Sequence, residues 1–152
     1  NIAHDELLKL LTEIDGIVIN DSEAELLTEI SNPISAARKI LAMGPRFVIV
    51  KKGEHGAVLV HEDGLAVVPA FPADHTQVVD PTGAGDSFAG GLMGHIAAVG
   101  TTNFDAIQTA MAWGTVTASF ALESFSLDRL RSIDRADIDR RMEHFQSIAR
   151  VG

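Results

Sequence analysis

The sequence predicts an α/β fold, a parallel sheet with helices on both faces, and three observations carry that prediction. Ile17-Val18-Ile19 is a short apolar run of strand type. Phe47-Val48-Ile49-Val50 is apolar without interruption, as strands covered on both faces are. Around these runs apolar residues recur at helical spacing, with Leu7, Leu8, Leu11 and Ile14 as the first set. Strands that alternate with helices build parallel sheets whose crossover helices lie on the faces. No internal repeat, low-complexity tract or linker interrupts residues 1–152, which read as a single domain.

The elements follow in order. A first helix is expected over residues 4–14, ended by Gly16, with the 17–19 strand after it. Asp21 or Ser22 is the expected cap of a second helix reaching residue 30, with Glu23 and Glu25 in its first turn, where acidic side chains meet the positive end of the helix dipole. Asn32-Pro33 is a stop and restart, because proline suits the first helical position. The helix it opens runs to residue 43 and ends at Gly44-Pro45. Beyond the 47–50 strand, Gly53 and Gly56 bound a turn, and residues 57–60 and 65–68 flank Glu62-Asp63-Gly64 as a hairpin. Residues 69–77 form an irregular connection, and helices are expected over 85–99, 103–122 and 135–150. Met111, Trp113 and Phe120, at helical spacing, read as packing residues.

Composition narrows the function. With 12 basic and 21 acidic residues the net charge is −9, which argues against nucleic acid or an anionic membrane as partner. Cysteine is absent, which excludes disulfides and cysteine metal sites and fits a reducing cytoplasm. The longest apolar stretch, residues 89–99, is too short to span a bilayer. The six histidines have no metal-ligand spacing and are assigned no such role. Neither a Walker-type phosphate loop nor a Gly-x-Gly-x-x-Gly dinucleotide fingerprint occurs.

Chemistry concentrates at Asp80-Pro81-Thr82-Gly83-Ala84-Gly85-Asp86-Ser87. Val78-Val79 leads in and a helical pattern of Phe88, Leu92, Met93 and Ile96 leads out, so the glycines lie where a loop becomes the first turn of a helix. Small residues there let the backbone approach a ligand, and the free N–H groups of a first turn favour an anion. Asp86 beside such a site suits removal of a proton from a nucleophile that attacks a phosphate. On spacing alone, the same residues also suit a tight turn with Asp86 as an ordinary N-cap.

Two further positions carry the same kind of choice. Asn20 and Glu23 follow the 17–19 strand at its carboxyl end, where ligands bind in open α/β sheets. One amide and one carboxylate suit a Mg²⁺ held largely through water. They equally suit a helix cap completed by Glu23. Lys51-Lys52-Gly53-Glu54-His55-Gly56 follows the 47–50 strand. Lys51 can meet a polyphosphate as a point charge, or belong to a solvated lysine pair before a hairpin.

Residues 80–86 resemble the C-terminal signature of the ribokinase-like (PfkB) carbohydrate kinases, Asp-Thr-Thr-Gly-Ala-Gly-Asp. Asp80, Thr82, Gly83, Ala84, Gly85 and Asp86 match it, and Pro81 replaces the commoner threonine. Asn20-Asp21-Ser22-Glu23 resembles the family's Asn-x-x-Glu motif, and residues 51–56 resemble its Thr-or-Lys-x-Gly-x-x-Gly turn. The resemblance implies a ribokinase-like three-layer αβα (Rossmann-like) sheet. That sheet is expected to be incomplete, because the signature falls in the last third of such chains and this chain opens on Asn1. The missing N-terminal half is the part that would supply most sugar contacts, the lid and part of the sheet.

The resemblance also implies roles. Asp86 becomes the general base on the acceptor hydroxyl, and Gly83, Ala84 and Gly85 the anion hole for the transferring phosphoryl group. Lys51, Gly53, Gly56 and Thr82 serve the nucleotide. Asn20 and Glu23 serve Mg²⁺, and Asp80 lies near the monovalent-cation site of some members. The implied reaction is ATP-dependent phosphorylation of a sugar hydroxyl, with ATP, Mg²⁺ and a monovalent cation as cofactors. The implied partner is a sugar-like small molecule, and a homodimer is expected from apolar sheet surface exposed where the missing half would pack. Without its sugar-binding half the chain is expected to phosphorylate nothing. The alternatives are a nucleoside kinase of the same superfamily, a catalytically silent nucleotide-binding fragment, and a hydrolase using Ser87 of Gly85-Asp86-Ser87.

Overall fold

The structure, a computed structural model, describes residues 2–72 and 78–149, with side chains from residue 5 onward. The last part of the connection expected over 69–77 and the end of the helix expected over 135–150 lie outside the described residues. The chain divides into two compact units, Asn1–Val67 and Val68–Gly152.

The first unit is built on a four-stranded sheet in the order β1-β2-β3-β4. β1 (Gly16–Asn20) pairs parallel with β2 (Phe47–Lys51), and β2 pairs antiparallel with β3 (Ala57–His61). The sheet is therefore mixed rather than parallel throughout. The connection between β2 and β3 holds only a single 3₁₀ turn, Gly53–His55, whereas a parallel pair needs a crossover of about a dozen residues. β4 (Gly64–Val68) completes the expected hairpin.

Alternation along β2 and β3 puts Val48, Val50, Val58 and Val60 into one core. Leu11 of α1 (Ile2–Leu11), Ala24 of α2 (Asp21–Thr28), and Ala36, Ala37 and Ile40 of α3 (Pro33–Leu41) share it. Ile49 and Leu59, which alternate to the other face, are also fully buried. That explains why these strands read as unbroken apolar runs. Gly16 faces Phe47 in the β1–β2 register. A side chain at Gly16 would place its Cβ 2.1 Å from the Phe47 ring, so the glycine makes room for that ring.

The second unit is helical: α4 (Ala84–Val99), α5 (Phe104–Ala121), α6 (Asp128–Ser132) and α7 (Arg135–Ile148). α4 and α5 approach closely through glycine. A Cβ on Gly91 would lie 2.5 Å from Thr117 Oγ1, and one on Gly114 would lie 2.7 Å from the Phe88 carbonyl oxygen. Met111 and Phe120 are buried packing residues, as their spacing suggests. Trp113 stacks on His95 with centroids 6.0 Å apart and lies under the Arg135 guanidinium at 4.8 Å. The short α6 has no counterpart in the sequence expectations.

Candidate functional site

In the first unit the candidate residues gather at the carboxyl ends of β1 and β2. Asn20 and Lys51 are direct register partners there. The Asn20 side-chain oxygen accepts from the Glu23 amide at 2.7 Å, and Glu23 Oε2 accepts from the Asn20 amide at 2.8 Å. Asn20 is thus the N-cap of α2, in place of Asp21 or Ser22. With Glu23 three residues on, both orphan amides are satisfied reciprocally; Ser22 with Glu25 has the same spacing, and the structure forms the Asn20 box. The cap engages Asn20 Oδ1 and one oxygen of the Glu23 carboxylate, and the second oxygen has no partner among the described residues. One exposed carboxylate oxygen suffices for an ion that keeps most of its waters, so the donor set fits Mg²⁺ held through water.

The turn after Lys51 is closed by backbone bonds. The Lys52 amide donates to the Gly56 carbonyl at 2.7 Å, and the Gly56 amide to the Gly53 carbonyl at 3.2 Å. Gly53 has φ 54° and Gly56 φ 84°, left-handed conformations that glycine adopts without strain. Nothing lies within 4 Å of a Cβ built on Gly53. At Gly53 it is backbone conformation, and not crowding, that calls for glycine.

In the second unit the signature turn opens α4. Gly83 is the N-cap, at φ 80° and ψ −1°. Its carbonyl accepts from the Ser87 amide at 2.9 Å and from the Ser87 hydroxyl at 2.8 Å. Ser87 is therefore used to close the first helical turn, and its hydroxyl donates to a carbonyl rather than to a histidine. The Ala84 amide donates to the Pro81 carbonyl at 3.2 Å. In this structure that amide closes the turn. Among the described residues nothing accepts from the amides of Gly83, Gly85 or Asp86. Asp86 is exposed in the first turn of α4 and is not its N-cap.

Asp80 leads into this turn. Its Oδ1 accepts from the Thr82 amide at 2.9 Å. The Thr82 amide, the Thr82 hydroxyl and the Ser126 amide hold the Asp80 carboxyl below the usual carboxylate range. The Val79 amide donates to the Leu122 carbonyl at 2.7 Å.

Two groupings were not legible in the sequence. His61, Glu62 and Asp63 bring possible ligand atoms within 4.8 Å of one another. Those atoms are committed to the β3–β4 turn: the Asp63 amide donates to His61 Nδ1 at 3.0 Å, and Glu62 pairs with Arg46 at 2.6 Å. The other is a cavity of about 720 Å³ in the second unit, lined by Phe71, Phe120, Glu123, Arg129, Arg141 and His144 among others. Arg141 and Glu123 lie on different elements, so no local motif could have announced the pair.

The first unit thus holds a strand-end cap beside a lysine and a glycine turn, and the second a helix opened by glycine with amides free among the described residues. Residues 1–130 match the pfkB family carbohydrate kinases, and the chain belongs to that family. The cytidine kinase of Thermococcus kodakarensis is 35% identical over 89 residues, 59% of this chain and 32% of that protein. Aminoimidazole riboside kinase from Salmonella enterica, complexed with aminoimidazole riboside and an ATP analog, superposes with a TM-score of 0.82 at 20% identity, covering 93% of this chain and 46% of that one. Fructokinase from Vibrio cholerae, with fructose, ADP and calcium bound, does so with a TM-score of 0.79 at 20% identity, covering 91% and 44%. The chain thus spans less than half the length of each of these relatives. The ribokinase-like α/β fold expected from the sequence is the fold of these neighbours. Among the described residues no helix is long and apolar enough to cross a membrane.

Proposed function

We propose that the protein carrying this chain transfers the γ-phosphoryl group of ATP to a hydroxyl of a sugar-like small molecule in the cytoplasm. The observation that carries this reading is the α4 turn: amides of Gly83, Gly85 and Asp86 without partners among the described residues, beside the exposed Asp86 carboxylate. Asp86 takes the proton of the acceptor hydroxyl as its oxygen attacks the γ-phosphorus. The bond from that phosphorus to the ADP oxygen breaks, and ADP leaves. The free amides donate to the oxygens of the transferring group, where negative charge is held, and the positive end of the α4 dipole adds to them. Lys51 faces the polyphosphate as a point charge, and positive φ at Gly53 and Gly56 shapes a turn that admits a phosphate close to the backbone. Glu23, through its second carboxylate oxygen, with Asn20 beside it, would hold the water shell of a Mg²⁺. When bound, that ion would neutralise the polyphosphate charge. Asp80 and Thr82 hold the approach to the turn, and a monovalent cation near Asp80 is part of the same proposal.

A nucleoside acceptor is the second reading, supported by the similarity to cytidine kinase. Assay of the full-length protein against ribose, fructose, cytidine and adenosine separates the two. The test of the shared chemistry is Asp86→Asn. Turnover is expected to fall by roughly 10²–10⁴, the worth of a positioned general base, while calorimetric affinity for ATP is retained. Turnover within a few-fold of the wild type would remove Asp86 from that role.

A further inference from the structure

We infer that Glu123 is a positioning residue: by holding Arg129 and Arg141 together it fixes the loop after α5, and that loop holds the entry to the Asp80–Asp86 turn in its working shape. The turn's function is the reading proposed above, and the positioning is separable from it.

The loop touches the entry to the turn through the backbone. The Val79 amide donates to the Leu122 carbonyl at 2.7 Å, and the Ser126 amide lies on the side of the Asp80 carboxylate, whose charged form it favours. The loop has little to hold it in place by burial, since Phe125 is 72% and Leu127 54% exposed. Ser126 also stands at φ 57°, a left-handed conformation that a serine keeps only when its surroundings impose it. Hydrogen bonds and ion pairs must therefore supply the restraint.

Glu123 supplies it from two directions. Its Oε2 accepts from Arg129 Nε at 2.8 Å, and its Oε1 meets Arg141 at 2.5 Å. Arg129 belongs to α6 and Arg141 to α7, so a single carboxylate ties the loop to both helices. The Arg129 amide adds a bond to Ser124 Oγ at 2.8 Å, inside the loop. Both guanidiniums are preset. Arg141 lies 3.5 Å over the Phe120 ring and donates to Ser119 Oγ at 3.1 Å, and Arg129 lies 5.6 Å from the same ring. Glu123 is 31% and Arg141 18% exposed, so water and salt screen this pair less than a surface pair. Without the carboxylate, two cations near one ring lose the charge that both of them pair with. They repel, and the loop is the part free to move.

The experiment is amide hydrogen exchange of the chain, followed by mass spectrometry, for the wild type, Glu123→Gln and Arg129→Met. Asp139→Asn, which breaks the exposed Arg135–Asp139 pair on α7, is the control. Exchange in peptides covering residues 79–87 is expected to rise about tenfold in Glu123→Gln and Arg129→Met, with the interior of α4 and the β2 strand unchanged and the control like the wild type. Exchange over 79–87 within twofold of the wild type in both variants would overturn the inference. So would a rise spread evenly through α4 and α5, the mark of a merely structural role. In the full-length protein Glu123→Gln is expected to lower kcat about tenfold with the KM for ATP little changed, because positioning acts on the reacting geometry. A wild-type protein that transfers no phosphoryl group would sink the proposed function and leave the exchange result standing.

Discussion

Alanine at Gly114 and alanine at Gly94 are chemically the same change in the interiors of two neighbouring helices, and the structure gives them opposite signs. Each removes the backbone-entropy penalty of a helical glycine, a gain of roughly 0.5–1 kcal/mol. At Gly94 nothing lies within 4 Å of the new Cβ, so only the gain remains. At Gly114 the new Cβ falls 2.7 Å from the Phe88 carbonyl oxygen and 3.0 and 3.1 Å from its ring. Even close C–H···O contacts keep carbon and oxygen about 3.3 Å apart. The obstructing oxygen belongs to the backbone and cannot rotate away, so α4 must shift by some tenths of an ångström. Overpacking of this kind costs typically about 1–3 kcal/mol, and the rigid neighbour puts it in the upper part of that range. The net result is a loss of about 1–2 kcal/mol for Gly114→Ala and a gain of about 0.5–1 for Gly94→Ala. At roughly 2–4 °C per kcal/mol for a chain of this size, Tm falls by about 2–8 °C in the first and rises by about 1–4 °C in the second. Melting followed by circular dichroism measures both. Shifts of the same sign would show that the close α4–α5 approach does not decide where this unit needs glycine.

The other predictions concern the site. The Asp80 carboxyl titrates below its ordinary range because the Thr82 amide, the Thr82 hydroxyl and the Ser126 amide favour its charged form. A depressed folded-state value gives stabilisation that is present above about pH 3.9 and is lost as the pH falls through the folded-state value. The Tm difference between wild type and Asp80→Asn should therefore be visible near neutrality and vanish in strong acid, and a gap that persists in acid would count against the bonding described. Asn20→Ala should cost about 1 kcal/mol through loss of the α2 cap, whereas Asn20→Asp, an equally good cap, should melt like the wild type. If Asn20→Asp nevertheless alters the Mg²⁺ dependence of turnover, the metal role separates from the cap. Lys51→Met should raise the KM for ATP about tenfold, the effect of some 1.4 kcal/mol of lost charge interaction, and an unchanged KM would assign Lys51 to solvent.

What the sequence determined by itself was everything set by near neighbours along the chain. Unbroken apolar runs announced β1 and β2; β2 is buried on both faces and has no polar face to show, while β1 is half-buried along its length. Asn32-Pro33 announced α3, and Asp80–Asp86 announced both a loop-to-helix junction and a family. Only the tertiary structure decided the rest. Asn20, Asp21 and Ser22 are all competent caps, and both Asn20 and Ser22 have a glutamate three residues on; the structure forms the box from Asn20 and Glu23. Three small residues in a row look alike in sequence, yet the Ala84 amide donates to Pro81 while nothing among the described residues accepts from Gly83 or Gly85. Glu123, Arg129 and Arg141 carry no pattern, because the packing of α5, α6 and α7 alone brings them together. Propensity and periodicity are local and survive in one dimension, whereas the direction of an amide and the partner of a charge depend on residues that folding makes neighbours.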